Sequence, residues 1–89
     1  MSALFHVNII LPGRVAYDAE ASSLIVPAYE GYLGVLAHHA PIITELKTGT
    51  IKIRDANNKT THFNLKSGGF LEVSENRATL LVDSLEFPS

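Results

Sequence analysis

A period of two constrains this chain more than any other feature. Phe5, Val7, Ile9 and Leu11 alternate with His6, Asn8 and Ile10; Ile51 and Ile53 alternate with Lys52 and Arg54. Thr61, Phe63 and Leu65 alternate in the same way with His62, Asn64 and Lys66. Neighbouring side chains on an extended strand point to opposite faces, so each run offers one apolar face to a core. Turn residues cut the runs short: Pro12-Gly13, Pro27, Ser67-Gly68-Gly69 and Glu75-Asn76. The segment Asp55-Ala56-Asn57-Asn58-Lys59 is rich in residues that tolerate positive φ, and it makes residues 51–65 the clearest hairpin.

Further strands are expected at Val15 to Tyr17, at Ser23 to Val26 with a stop at Pro27, and at Leu33 to Leu36. Phe70 to Val73 and Arg77 to Val82 complete the set. Ile42 to Leu46 reads as a strand, although residues 37–46 also admit one turn of helix. Eight or nine short strands without a long stretch of helical period indicate an all-β sandwich or barrel. With 89 residues the chain is one domain, with strands over about 5–84 and a tail at 85–89.

Composition narrows the functional classes. Hydrophobic residues make up 46%, enough for one modest core. A net charge of −2 argues against a general binder of nucleic acid or anionic membrane, because such binders need excess cations. Without cysteine, disulfides, thiolate metal sites and thiol nucleophiles are excluded. No Lys or Arg precedes Arg14, and the longest aliphatic runs span three residues. Neither a signal peptide nor a transmembrane helix of about 20 residues fits, so the chain is expected to be soluble and to meet a membrane only through a partner. Charge is uneven: residues 1–46 sum to −3, residues 47–66 to +4 and residues 67–89 to −3. The basic stretch is read as a solvated hairpin face.

Each candidate for chemistry has a weakness. His38-His39 with Glu45 suggests a cupin-like metal site, but adjacent strand residues face opposite ways and do not converge on one ion. His6 and His62 would join such a site only by a coincidence of folding. No serine sits in a G-x-S-x-G elbow, no carboxylates form an acid–base pair, and Gly68-Gly69 lacks the helix that anion binding needs. Lys52, Arg54 and Lys66 around Phe63 imitate an oligonucleotide-binding barrel, yet Phe63 shares the core phase of Thr61 and Leu65. An enzyme is not expected, and neither metal, cofactor nor nucleic acid is expected to bind. Tyr29 and Tyr32, set among Glu30, Gly31 and Gly34, put aromatics on a loop, and tyrosine is a preferred interface anchor.

That loop carries a resemblance. Glu30-Gly31-x-Leu33-Gly34-Val35-Leu36, then His39-Ala40-Pro41, then Leu46-Lys47-x-Gly49, is similar to the E-G-E-L-G-V-L-P-G-H-A-P-L-L-T-A-L-K-P-G stretch of the ε subunit of F-type ATP synthases. Ser67-Gly68-Gly69-Phe70-Leu71-Glu72-Val73 and Arg77-Ala78-Thr79-Leu80-Leu81-Val82-Asp83 resemble that family's S-G-G-x-L-E-V and V-T-V-L-A-D segments. The match runs in order from Phe5 to about Ser84.

The resemblance implies a β-sandwich or flattened barrel of about ten strands at the foot of a rotary stalk. Its partners would be the γ subunit and the polar loops of the c-ring, with the catalytic head as a further contact. The role would be to clamp γ to the ring, so that proton- or sodium-driven rotation reaches the head. The ring-facing residues would be Glu30, Gly31, Tyr32, Leu33 and Gly34, with His39 close by; by position, Leu11, Thr44 and Thr79 would face γ. Tyr32 stands where the family carries a second glutamate, and Ala37-His38 where it carries Pro-Gly. Should Gly34 hold a positive φ, Gly34→Val would destabilise the fold. The two C-terminal helices of typical members find no counterpart after Val82, so inhibition and ATP sensing by this chain are not expected. The implied location is peripheral, on the cytoplasmic face of a bacterial inner membrane or on a plastid thylakoid.

Overall fold

The computed structural model describes residues 3–87, and among them every regular element is a strand. In chain order these are β1 (Phe5–Leu11), β2 (Arg14–Ala28), β3 (Gly31–Val35), β4 (Ile42–Leu46), β5 (Gly49–Asp55), β6 (Thr60–Leu65), β7 (Gly69–Ser74), β8 (Arg77–Val82) and β9 (Leu85–Glu86). The all-β expectation holds, with nine strands among the described residues and no helical turn at 37–46.

Two sequence expectations need correction. The strands placed at Val15 to Tyr17 and Ser23 to Val26 are one 15-residue strand, and Pro27 does not end it. Proline is tolerated because its carbonyl, rather than a missing N–H, is what the neighbour uses: the Lys47 N–H donates to the Pro27 carbonyl at 2.9 Å. Within the tail, Leu85 and Glu86 also form a strand, pairing with Leu65 and Asn64 on the edge of β6.

The length of β2 organises the sandwich. Its first half pairs with β1 from Ala21 to Arg14, and its second half pairs with β3 and β5. A register shift between Ala21 and Ser23 lets the strand pass from one layer to the other. One layer runs β2-β1-β8-β7-β4 and the other β3-β2-β5-β6-β9. The pair Ala28–Leu46 joins β4 back to β2 and closes the flattened barrel.

The core lies between the layers and follows the period of two. Val7 and Ile9 from β1, Leu24 and Val26 from β2, Ile51 and Ile53 from β5, and Leu71, Val73 and Leu80 from β7 and β8 are buried. Phe63 is also inside, edge-on to Tyr17 at 5.8 Å and to Phe87 at 5.3 Å. No buried polar or charged residue occurs among the described residues, so burial carries no desolvation cost from side-chain charge. Turn chemistry fits as well. Glu75 and Asn76 both hold positive φ in the β7–β8 hairpin, and the Asn76 side chain accepts the His38 N–H at 2.8 Å and donates to the Leu4 carbonyl at 2.9 Å.

Candidate functional site: an apolar sheet face and a hairpin tip

With Val7, Ile9, Leu71, Val73, Ala78 and Leu80 turned inward, the alternate positions of β1, β7 and β8 turn outward. An outer sheet face is normally polar. Here Ile10 pairs with Leu81, Leu81 with Phe70, and Phe70 with Glu45, so an apolar row crosses three strands. Phe70 and Leu81 are about half exposed, and Ile43, one row away on β4, is 73% exposed. Val15, opposite Ile10 on β2, extends the row. Gly69 makes the flat approach of β7 to β8 practicable: a Cβ there would stand 2.5 Å from the Leu81 carbonyl oxygen.

The second feature is the β2–β3 hairpin. Ala28 pairs with Gly31, leaving Tyr29 and Glu30 as a two-residue tip. Both tip residues keep ordinary backbone and the unusual φ of +134° falls on Gly31, where no Cβ opposes it. Three hydrogen bonds tie the hairpin to its neighbours. The Tyr29 N–H donates to the Glu45 carbonyl at 2.9 Å, the Lys47 N–H to Pro27 at 2.9 Å, and the Thr50 N–H to the Tyr32 hydroxyl oxygen at 3.1 Å. Tyr29 is 65% exposed and Glu30 is exposed beside it.

The residues singled out by sequence divide accordingly. Glu30, Gly31, Tyr32, Leu33 and Gly34 share the hairpin, with Leu33 half-buried against the core. Gly34 does not hold a positive φ, so the conditional expectation about that residue lapses. His39 is not with them. It follows the far end of β3, roughly 15 Å along the strand from the tip at about 3.3 Å per residue. Of Leu11, Thr44 and Thr79, only Thr79 lies on the outward phase of β8, where its hydroxyl donates to Asn8 Oδ1 at 3.1 Å. Leu11 packs partly against the core at the rim of the apolar face, and Thr44 pairs with buried Leu71 on the inward phase of β4.

Sequence reasoning missed Ile10, Ile43, Phe70 and Leu81. The signal was present as apolar doublets: Ile9-Ile10, Ile42-Ile43, Phe70-Leu71 and Leu80-Leu81 interrupt otherwise alternating strands. A doublet makes both faces of a strand apolar, and one of those faces is not the core.

A third cluster sits on the same outer face. His6 Nδ1 donates to Glu20 at 2.7 Å, while Nε2 meets Asp18. Both ring nitrogens face carboxylates, which suits the doubly protonated ring. The His6 pKa is therefore raised, first by Glu20 and then by Asp18, against partial burial and, more weakly, Arg77 across the β1–β8 pair. For Tyr17, burial raises the phenol pKa, with Asp55 adding to it. Among the described residues, no His, Asp and Glu side chains form a group suited to a metal ion. The bases that Phe63 would stack in an oligonucleotide-binding barrel have no access to its buried ring.

Comparison with known proteins gives a consistent result. The family profile described as "ATP synthase, Delta/Epsilon chain, beta-sandwich domain" matches residues 4–88. The ATP synthase epsilon chain of Latilactobacillus sakei is 44% identical over 81 residues, covering 90% of this chain and 56% of that one. The epsilon chain of Moorella thermoacetica is 42% identical over 84 residues, covering 94% and 62%. The sodium-ion-specific epsilon chain of Propionigenium modestum is 38% identical over 81 residues, covering 91% and 58%. The chain thus spans about 56–62% of the length of these relatives. A chain of the Euglena gracilis mitochondrial ATP synthase, in its OSCP/F1/c-ring structure, superposes with a TM-score of 0.87 at 18% identity. That superposition covers 96% of this chain and 54% of that one, and at such identity it shows the shared fold.

Proposed function

This chain belongs to the ATP synthase delta/epsilon family by its β-sandwich domain, and on that premise we propose that it is a rotor subunit of the central stalk of an F-type ATP synthase. The observation that carries this reading is the apolar row Ile10–Leu81–Phe70 with Ile43 beside it, on a face that a free-standing sandwich would keep polar. In this role the row seats the γ subunit, with Thr79 and Leu11 at its border. The Tyr29–Glu30 tip reaches the polar loops of the c-ring.

The chain performs no reaction of its own. Its contribution is mechanical: two separate surfaces on one closed barrel let it hold γ and ring in fixed relation. Closure leaves few ways to deform, because β2 runs through both layers and Ala28–Leu46 locks the seam. Rotation driven by the coupling ion is then passed to γ instead of being lost as strain. The location that follows is peripheral, on the ring's stalk-side face.

The experiment is reconstitution. ATP synthase from the same organism, stripped of its own counterpart of this chain, is assayed for ATP-driven ion pumping in vesicles before and after the chain is added. Restored pumping per ATP hydrolysed supports the role. Unchanged pumping with the chain bound refutes coupling, and no binding refutes the assignment.

A further inference from the structure

The two outer faces of the sandwich carry opposite charge. On the layer that contains β1, the outward positions set Asp18, Glu20, Glu45 and Glu72 against Arg77, with His6 adding a positive charge when protonated. These carboxylates share their face with the apolar row of Ile10, Leu81 and Phe70. The outward phase of the other layer reads differently. Arg54 stands across from Ser23 and Thr60, and Lys52 across from Ile25 and His62. Lys52 and Arg54 are exposed and take part in none of the three ion pairs among the described residues. Glu86, at the rim of this face, pairs with Lys66 at 3.9 Å. Apolar surface accompanies the cations: Ile25 and Tyr32 are exposed, Leu36 shares a groove with Ser23 and Arg54, and Gly34 leaves open space beside Ile25.

We infer that these two faces bind each other between copies of the chain, the cationic face of one copy seating on the carboxylate-bearing apolar face of the next. Complementarity is the reason. Pairing like faces opposes carboxylates to carboxylates or cations to cations, whereas pairing unlike faces matches the charges and covers both apolar patches. The area suffices as well. With the molecule 35 × 28 × 25 Å across, one whole face is on the order of the ~800 Å² per partner that a specific interface buries. The faces lie on opposite sides of the sandwich, so the contact is head-to-tail and each copy keeps a free face for another. Association therefore extends into chains of copies instead of stopping at a pair. Under the stalk reading above, the face so covered is the one that seats γ. A second copy then shields Phe70 and Leu81 from water until γ displaces it.

The test is sedimentation equilibrium of the full chain alone, without γ, so that its outcome is independent of the stalk reading. The average mass of wild type should climb past that of two copies as concentration rises into the millimolar range. Added salt should reverse the rise, since exposed charges are screened. Lys52→Glu with Arg54→Glu spoils the cationic face, and Leu81→Asp spoils the apolar face, all at exposed positions. Each variant alone should associate at least about tenfold more weakly than wild type. Mixed, the two should form one-to-one pairs and nothing larger, because each supplies the face that the other has lost; such pairs also show that both variants are folded. A wild type that stays monomeric or stops at a pair overturns the inference. So do variants that associate as wild type does, or a mixture that forms no pairs. None of these results touches the docking of γ, which the stalk reading requires and a binding assay with γ decides.

Discussion

The Tyr32 hydroxyl accepts the Thr50 N–H at 3.1 Å across a gap that only Gly49 leaves open. A Cβ at position 49 would stand 2.7 Å from Pro27 Cβ and 2.8 Å from the Tyr32 oxygen, and the Gly49 φ of +156° adds strain. Gly49→Ala should therefore cost about 1–3 kcal/mol, as overpacking does. Gly34 is a contrast on β3, across β2 from that site, with open space around its missing side chain. Gly34→Ala should stay within about 0.5 kcal/mol of wild type. Urea titrations of both variants check this, and equal losses would contradict it.

Phe70 and Leu71 test the register of β7. Leu71 is buried in the core and Phe70 is on the outer face. Leu71→Ala should cost about 2–5 kcal/mol, the range for a buried leucine in a packed core. Phe70→Ala should cost about 1 kcal/mol or less, since half its surface is already in water. Denaturant midpoints that moved equally would mean that Phe70 is not a free surface residue.

The His6 cluster makes stability depend on pH. With its pKa raised above the ordinary 6.5 by Glu20 and Asp18, the folded state binds the proton more tightly than the unfolded state. The resulting stabilisation is complete below about pH 6.5 and is lost as pH rises through the higher folded value. The Tm of wild type should fall over that interval relative to His6→Gln, which lacks the titrating ring. The two proteins differ only at this side chain, so the difference between their curves isolates His6. Parallel curves would refute the effect.

The strands were legible because alternation is a local property, and Ile51–Ile53 or Phe63–Leu65 state their phase without tertiary context. The length of β2 was not. Pro27 reads as a stop, and only the Lys47 N–H directed at its carbonyl shows why the strand continues to Ala28. Motif matching found the hairpin at Glu30–Gly34 but drew in His39, which is near in sequence and distant along β3. Position along the chain put Thr44 on the γ-facing surface, where strand phase sets that residue on the inward side of β4, level with buried Leu71. The apolar face was written in the doublets Phe70-Leu71 and Leu80-Leu81. Reading it required knowing that β8 lies between β1 and β7, a parallel and an antiparallel pairing that no local pattern announces.

Size-exclusion chromatography of this chain with the γ subunit of the same ATP synthase, at physiological salt, tests the proposed docking face most directly. A one-to-one complex is predicted for wild type, and its loss is predicted for Phe70→Asp and Leu81→Asp, two exposed positions whose substitution leaves the core intact. No complex with wild type, or a complex that survives both charges, would contradict it.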